Sequence, residues 1–171
     1  MSSDLFRKLK ETGIDLASED VVIATTDEEY SAVFNRGLDF NILLLVAHGA
    51  PDLSEAKAST VAIPGGRSNW FELASLSSSL SDKMVCLAVC HGFCRDALDA
   101  FVRDGEFALV LVAPNSGLSS TEVAAFFPTF FAELHKSSPE SIDPNNARDI
   151  VESQNSLANG KMKLFSEALS R

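Results

Sequence analysis

Two apolar runs, each closed abruptly by a glycine, constrain this chain most. The first, NILLLVAHGA, ends in His48-Gly49, and the second, KMVCLAVCHG, ends in Cys90-His91-Gly92. Each has the length and β-branched content of a buried parallel strand, over 41–47 and 84–89. Catalytic groups in open α/β sheets gather at the carboxyl ends of the strands. Two neighbouring strands ending in this way set an imidazole beside a thiol, the minimum equipment for a cysteine nucleophile.

The segments around these runs alternate between strand and helix. Residues 2–16 carry Leu5, Phe6, Leu9 and Ile14 near helical spacing, and Asp20-VVIA-Thr25 reads as a strand. Thr26 is an expected N-cap for the helix DEEYSAVFNRG, with acids in its first turn. Residues 50–66 are irregular, with a short strand TVAI closed by Pro64-Gly65-Gly66. A helix is expected over 68–80, capped by Ser68 or Asn69, and another from Arg95 to Arg103. FALVLVAP is a third buried strand ending at Pro114. It is followed by the polar turn NSGLSST and an apolar helix, EVAAFFPTFFAELHK, interrupted by Pro128. After a linker, SSPESIDPNN, a final helix is expected from about Ala147 to Leu169. Crossovers of this length predict a parallel sheet within a single α/β domain spanning 1–171.

Composition narrows the function. The chain has 171 residues, with 14 Lys and Arg against 24 Asp and Glu, a net charge of −10. No stretch gathers the cations that a phosphate backbone requires, so nucleic acid is not an expected partner. The opening MSSDLFRKLKETGIDL lacks an apolar core of signal-peptide length, and no run reaches the ~18 residues that cross a bilayer. Cys86, Cys90 and Cys94 are odd in number and crowded together, which speaks for a reducing compartment rather than a disulfide framework. The expectation is a cytoplasmic protein with no membrane partner.

The candidate chemistry is acyl transfer. A free thiol is mostly protonated at neutral pH, and an adjacent imidazole can take its proton and return it to a leaving amine. The residues for this are His48 as base and Cys90 as nucleophile. A glycine after the base lets the backbone N–H of Gly49 approach a developing oxyanion, joined by the N–H of Cys90. Such a mechanism needs no metal or organic cofactor.

The order LLLVAHGA, then NWFELASLSSSLSDKMVCLAVCHG, then FALVLVAPNSGLSSTEVAAFFPTFFAELHK resembles the CHAT family of caspase-like cysteine peptidases, in the clan of caspases, separases and gingipains. The Ala-x-Cys-x-Gly motif of that family is matched by Ala88-Val89-Cys90-His91-Gly92, and its paired aromatic by Phe130-Phe131. The likeness spans roughly residues 20–165. It implies a caspase-like three-layer α/β/α sandwich with a mostly parallel sheet, and a dyad of His48 and Cys90 with Gly49 at the oxyanion hole. It also implies a thiol endopeptidase acting on protein substrates, in a family whose members are often gated by a regulatory protein partner. Many relatives carry an aspartate in the turn before the aromatic helix. Ser119, Ser120 and Thr121 occupy that region here, which leaves the preferred side chain before the cut bond open.

Three other readings compete. Ala88-x-Cys90-x-Gly92 fits a nucleophile elbow, with His135 as the late histidine. Cys86, Cys90, His91 and Cys94 could be counted as zinc ligands, although their spacing matches no common site. A caspase-like fold can also serve as a non-catalytic binding or scaffold module.

Overall fold

The computed structural model describes residues 2–12, 29, 32, 41–51, 59–63, 66–75, 80, 82–103, 108–137 and 141–169. A four-stranded sheet forms its centre. Strand β1 (Ile42–Val46) pairs in parallel with β5 (Met84–Ala88), which pairs in parallel with β6 (Val110–Pro114). Strand β7 (Met162–Phe165) closes the order β1-β5-β6-β7 by running antiparallel to β6. This is a mixed α/β fold with a mostly parallel sheet.

Strand alternation sorts the core into two layers. Met84, Cys86, Ala88, Val110 and Val112 face one side, against α1 (Ser2–Glu11), α4 (Ser120–Ser137) and α5 (Pro144–Gln154). Val85, Leu87, Leu111 and Ala113 face the other, against α2 (Trp70–Ser75) and α3 (Arg95–Leu98). β5 and β6 are buried at every position, as uninterrupted apolar strands covered on both faces should be. β1 was expected to be equally buried, but its residues are half-buried. It stands at the end of the described order, with a hydrogen-bonded neighbour on one side among the described residues.

Helix α4 is continuous, not interrupted at Pro128. Proline removes the N–H that would bond the Ala124 carbonyl, a cost of roughly 3 kcal/mol in a helix interior. Buried rings on both sides of that break keep the two halves in line. Phe126 stacks on Phe130 with centroids 5.6 Å apart, and Phe127 meets Phe131 at 5.9 Å. Burying each such side chain contributes about 1.5–3 kcal/mol, so four of them outweigh one lost bond. The FFPTFF cluster is therefore core.

A second, three-stranded antiparallel sheet follows β1 directly: β2 (Gly49–Pro51), β3 (Ser59–Ile63) and β4 (Gly66–Ser68). TVAI lies within β3, while β2 and β4 were not anticipated. Val61 is fully buried beside Trp70, which anchors this sheet to α2. Of the two expected caps for α2, Asn69 serves. Its Oδ1 accepts the Glu72 N–H at 2.9 Å, while Glu72 Oε2 accepts the Asn69 N–H at 3.1 Å.

Other expectations are corrected. The Arg95–Arg103 helix is α only to Leu98 and then widens into a π-helical turn over Asp99–Arg103. The expected final helix, Ala147 to Leu169, is wrong beyond its first part. Helix α5 starts earlier, at Pro144, capped by Asp143, whose carboxylate accepts the Asn145 N–H at 2.9 Å. A 3₁₀ turn over Asn155–Ala158 follows, and the chain then reverses at Asn159 and Gly160, with φ of 52° and 76°, to enter β7. Two consecutive left-handed residues are incompatible with helix, and Asn-Gly is the pair that tolerates them. The N-terminal helix ends at Glu11, short of residue 16. The expected strand Asp20–Thr25 lies outside the described residues. So does the helix after Thr26, apart from helical positions Glu29 and Ala32.

Candidate active site

Strand register brings the two candidate residues together. Val46 lies opposite Ala88, and the Ala47 N–H continues the pairing to the Ala88 carbonyl at 3.4 Å. Beyond that pairing both segments leave the sheet, one through Ala47-His48 and the other into the turn that carries Cys90. At this end of the sheet His48 and Cys90 both lie near the start of α4, whose Ser120 and Val123 are close by. A cavity of about 320 Å³ opens there, lined by Ala47, His48, Ala88, Cys90, Leu118, Ser120 and Val123. His48 is exposed and Cys90 is half-buried. Among the described residues, no Asp, Glu, Lys or Arg lines the cavity.

The backbone at this end of the sheet is tightly specified. After β5 the chain turns through Val89-Cys90-His91-Gly92, closed by the Gly92 N–H on the Val89 carbonyl at 3.0 Å. His91 occupies the third position of the turn with φ 59°, a left-handed conformation that costs a non-glycine residue about 1–2 kcal/mol. Its N–H bonds the Ser116 carbonyl at 3.1 Å, which fixes the turn against the β6–α4 connection. His91 does not line the cavity.

Gly49 has no room for a side chain. A Cβ there would fall against the Cys90 carbonyl oxygen and the Val89 side chain, far inside van der Waals contact. The sequence argument for this glycine was access of its N–H to an oxyanion; close passage over Cys90 is an added constraint. Gly49 and Val61 form a non-hydrogen-bonded pair, because the Ala62 N–H donates to the His48 carbonyl at 2.7 Å. Ladder geometry therefore directs the Gly49 N–H away from β3.

Leu118 is the site residue that sequence reasoning missed. Its backbone N–H donates to Cys90 Sγ at 3.3 Å, and Sγ–H lies 3.6 Å from the Leu118 carbonyl. The strap carrying it, residues 115–119, ends in a capping box. Ser119 Oγ accepts the Glu122 N–H at 3.2 Å, and Glu122 Oε2 accepts the Ser119 N–H at 2.7 Å. The pattern Ser119-x-x-Glu122 before an apolar run was a legible signal for it.

The other carboxylate oxygen of Glu122 accepts from Lys161 Nζ and Asn159 Nδ2, each at 2.6 Å. The Lys161 ammonium, and then the Ser119 N–H, hold this carboxyl down at about 2.

The rival site residues fall elsewhere. Cys86 is fully buried in the sheet, and desolvation pushes its thiol well above the usual range. An inert thiol of this kind is a poor metal ligand. Among the described residues, no three His, Cys, Asp or Glu side chains gather as a metal site would require. His135 sits in the last turn of α4, about 18 Å along the helix from Val123 at 1.5 Å per residue. It is too far away to serve Cys90 as base. Among the described residues, no helix is long and apolar enough to cross a membrane.

No known protein family matches the chain, and no curated protein matches it either.

Proposed function

We propose that this chain is a caspase-like cysteine endopeptidase of the CHAT type, acting in the cytoplasm on protein substrates. The observation that carries the reading is that His48 and Cys90, each two residues beyond the paired ends Val46 and Ala88 of neighbouring parallel strands, line one cavity. His48 takes the Sγ proton, and the sulfur attacks the scissile carbonyl carbon as the C=O electron pair moves onto oxygen. The Gly49 N–H, directed away from β3, is a donor for that oxyanion. Collapse expels the amine, which receives the proton from His48 and leaves a thioester on Cys90. Water then attacks, loses a proton to His48, and releases the acid with the thiol restored. The proposed machinery is the dyad of His48 and Cys90. Organic cofactor and metal have no part in these steps.

A second reading, a non-catalytic module of the same fold, draws on one observation. The Cys90 thiol is engaged by the Leu118 backbone. The two readings separate on labelling by peptidyl acyloxymethyl ketones, in which a reactive thiolate displaces the carboxylate and forms a thioether. Peptide-dependent labelling at Cys90 supports the peptidase. Labelling no faster than that of Cys94, whatever the peptide, overturns it.

A further inference from the structure

Glu122 is the acid of the strap's capping box, and its oxygens are already committed. One closes the Ser119 capping box and the other binds Asn159 and Lys161. It is therefore not available to pair with a basic group of a substrate. Lys161 returns to the same strap by its backbone, its carbonyl accepting the Asn115 N–H at 2.9 Å. Both ends of segment 115–119 are thus tied to the turn that precedes β7, far along the chain. Between those ties, the His91 N–H grips the Ser116 carbonyl and the Leu118 N–H reaches Cys90 Sγ.

From this arrangement we infer that Glu122, Asn159 and Lys161 form a positioning clamp whose task is to hold Leu118 against the Cys90 sulfur. The inference rests on Cys90 being the reactive thiol of the proposed site. Burial explains why the clamp is rigid. Glu122 is 8% exposed, and a buried carboxylate is costly without the charge-assisted partners it has here. Of the two Leu118 backbone groups on the sulfur the N–H is the nearer, at 3.3 Å against 3.6 Å for the carbonyl, so loosening the strap removes a donor from the attacking atom and slows its reactions without touching either member of the proposed dyad. The strap is a cradle for the sulfur and not a cover over it.

The test is the iodoacetamide alkylation rate of Cys90 relative to Cys94 at neutral pH, in the whole chain. Both lie with Cys86 in the single tryptic peptide 84–95, so fragment ions localise the adduct. Lys161→Met and Glu122→Gln should lower the Cys90-to-Cys94 ratio about three- to tenfold, the size expected for one ordinary hydrogen bond lost. Lys161→Arg keeps the charged donor and should restore the wild-type ratio. Asn159→Gly removes the amide but keeps the left-handed backbone, so it supplies a gentler variant if Lys161→Met fails to fold. An unchanged ratio in folded variants overturns the clamp, and so does a raised ratio, which would make the strap a cover. The readout does not depend on cleavage. A chain that cleaves nothing yet shows the drop keeps the clamp and loses the peptidase.

Discussion

The backbone N–H of Leu118 points at Cys90 Sγ across 3.3 Å, although the two residues lie on different crossovers of the sheet. Cys90 leaves β5 in a strained turn, and Leu118 arrives from β6 on a strap fixed by the first turn of α4. The candidate nucleophile is thus held by groups that lie apart in sequence and meet only through the parallel pairing of β5 with β6.

Gly49 should tolerate no substitution. Gly49→Ala drives a methyl into the Cys90 carbonyl, and backbone cannot yield as a flexible side chain would. We expect a loss of about 1–3 kcal/mol, read as a drop in Tm, together with a changed alkylation rate at Cys90. An alanine variant with wild-type Tm and unaltered Cys90 would refute the close passage of these two segments.

His91 tests the turn. His91→Gly relieves the left-handed strain while adding chain entropy to the unfolded state, so its stability should stay within ~0.5 kcal/mol of wild type. His91→Val places a β-branched residue at φ 59° and should cost about 1–2 kcal/mol. Urea midpoints of the two variants check the order, which reverses if the histidine ring stabilises the turn more than its backbone strains it.

Acid should weaken the fold through Glu122. Its carboxyl is held at about 2 in the folded chain, against 4.5 for the ordinary group. The folded state therefore binds fewer protons, and the stabilisation is fully present above pH ~4.5 and disappears as pH falls toward 2. With partial exposure allowed for, the amount is on the order of 2 kcal/mol. Wild type should lose that much more stability between pH 6 and pH 2.5 than Glu122→Gln does. Parallel losses in the two proteins would assign the acid sensitivity to other carboxylates.

Among the described residues, the cavity that His48 and Cys90 share is lined by no Asp, Glu, Lys or Arg. A peptide whose residue before the cut bond is small or aliphatic should react at least about tenfold faster than one with Arg, Lys or Asp there. A buried charge without a partner is costly. Matched peptidyl acyloxymethyl ketones measure this directly, and a preference for Arg or Lys would contradict it.

Much of the site was legible because strand ends carry strong local signals. Continuous apolar runs identified β1, β5 and β6, and the glycine after each candidate located His48 and Cys90 at their ends. Leu118 was not legible, since a leucine in a polar turn carries no chemical signal and acts here through its backbone. The error over the tail arose from Asn159-Gly160, a turn signal outvoted by helical spacing on either side. Once that turn is recognised, the alternation in Met162–Phe165 reads as strand. The π-helical turn at Asp99–Arg103 had no sequence marker, because those residues also suit an α-helix.

The central claim is that His48 and Cys90 act together on a peptide bond. The most direct measurement compares cleavage of a protein-derived peptide library by wild type, Cys90→Ala and His48→Ala. The account predicts new termini with wild type, none with Cys90→Ala, and a rate lower by about 10²–10⁴ with His48→Ala, the usual contribution of a general acid–base. Cleavage that survives in Cys90→Ala, or a wild-type protein that cuts nothing while its Cys90 ignores peptidyl electrophiles, would contradict it.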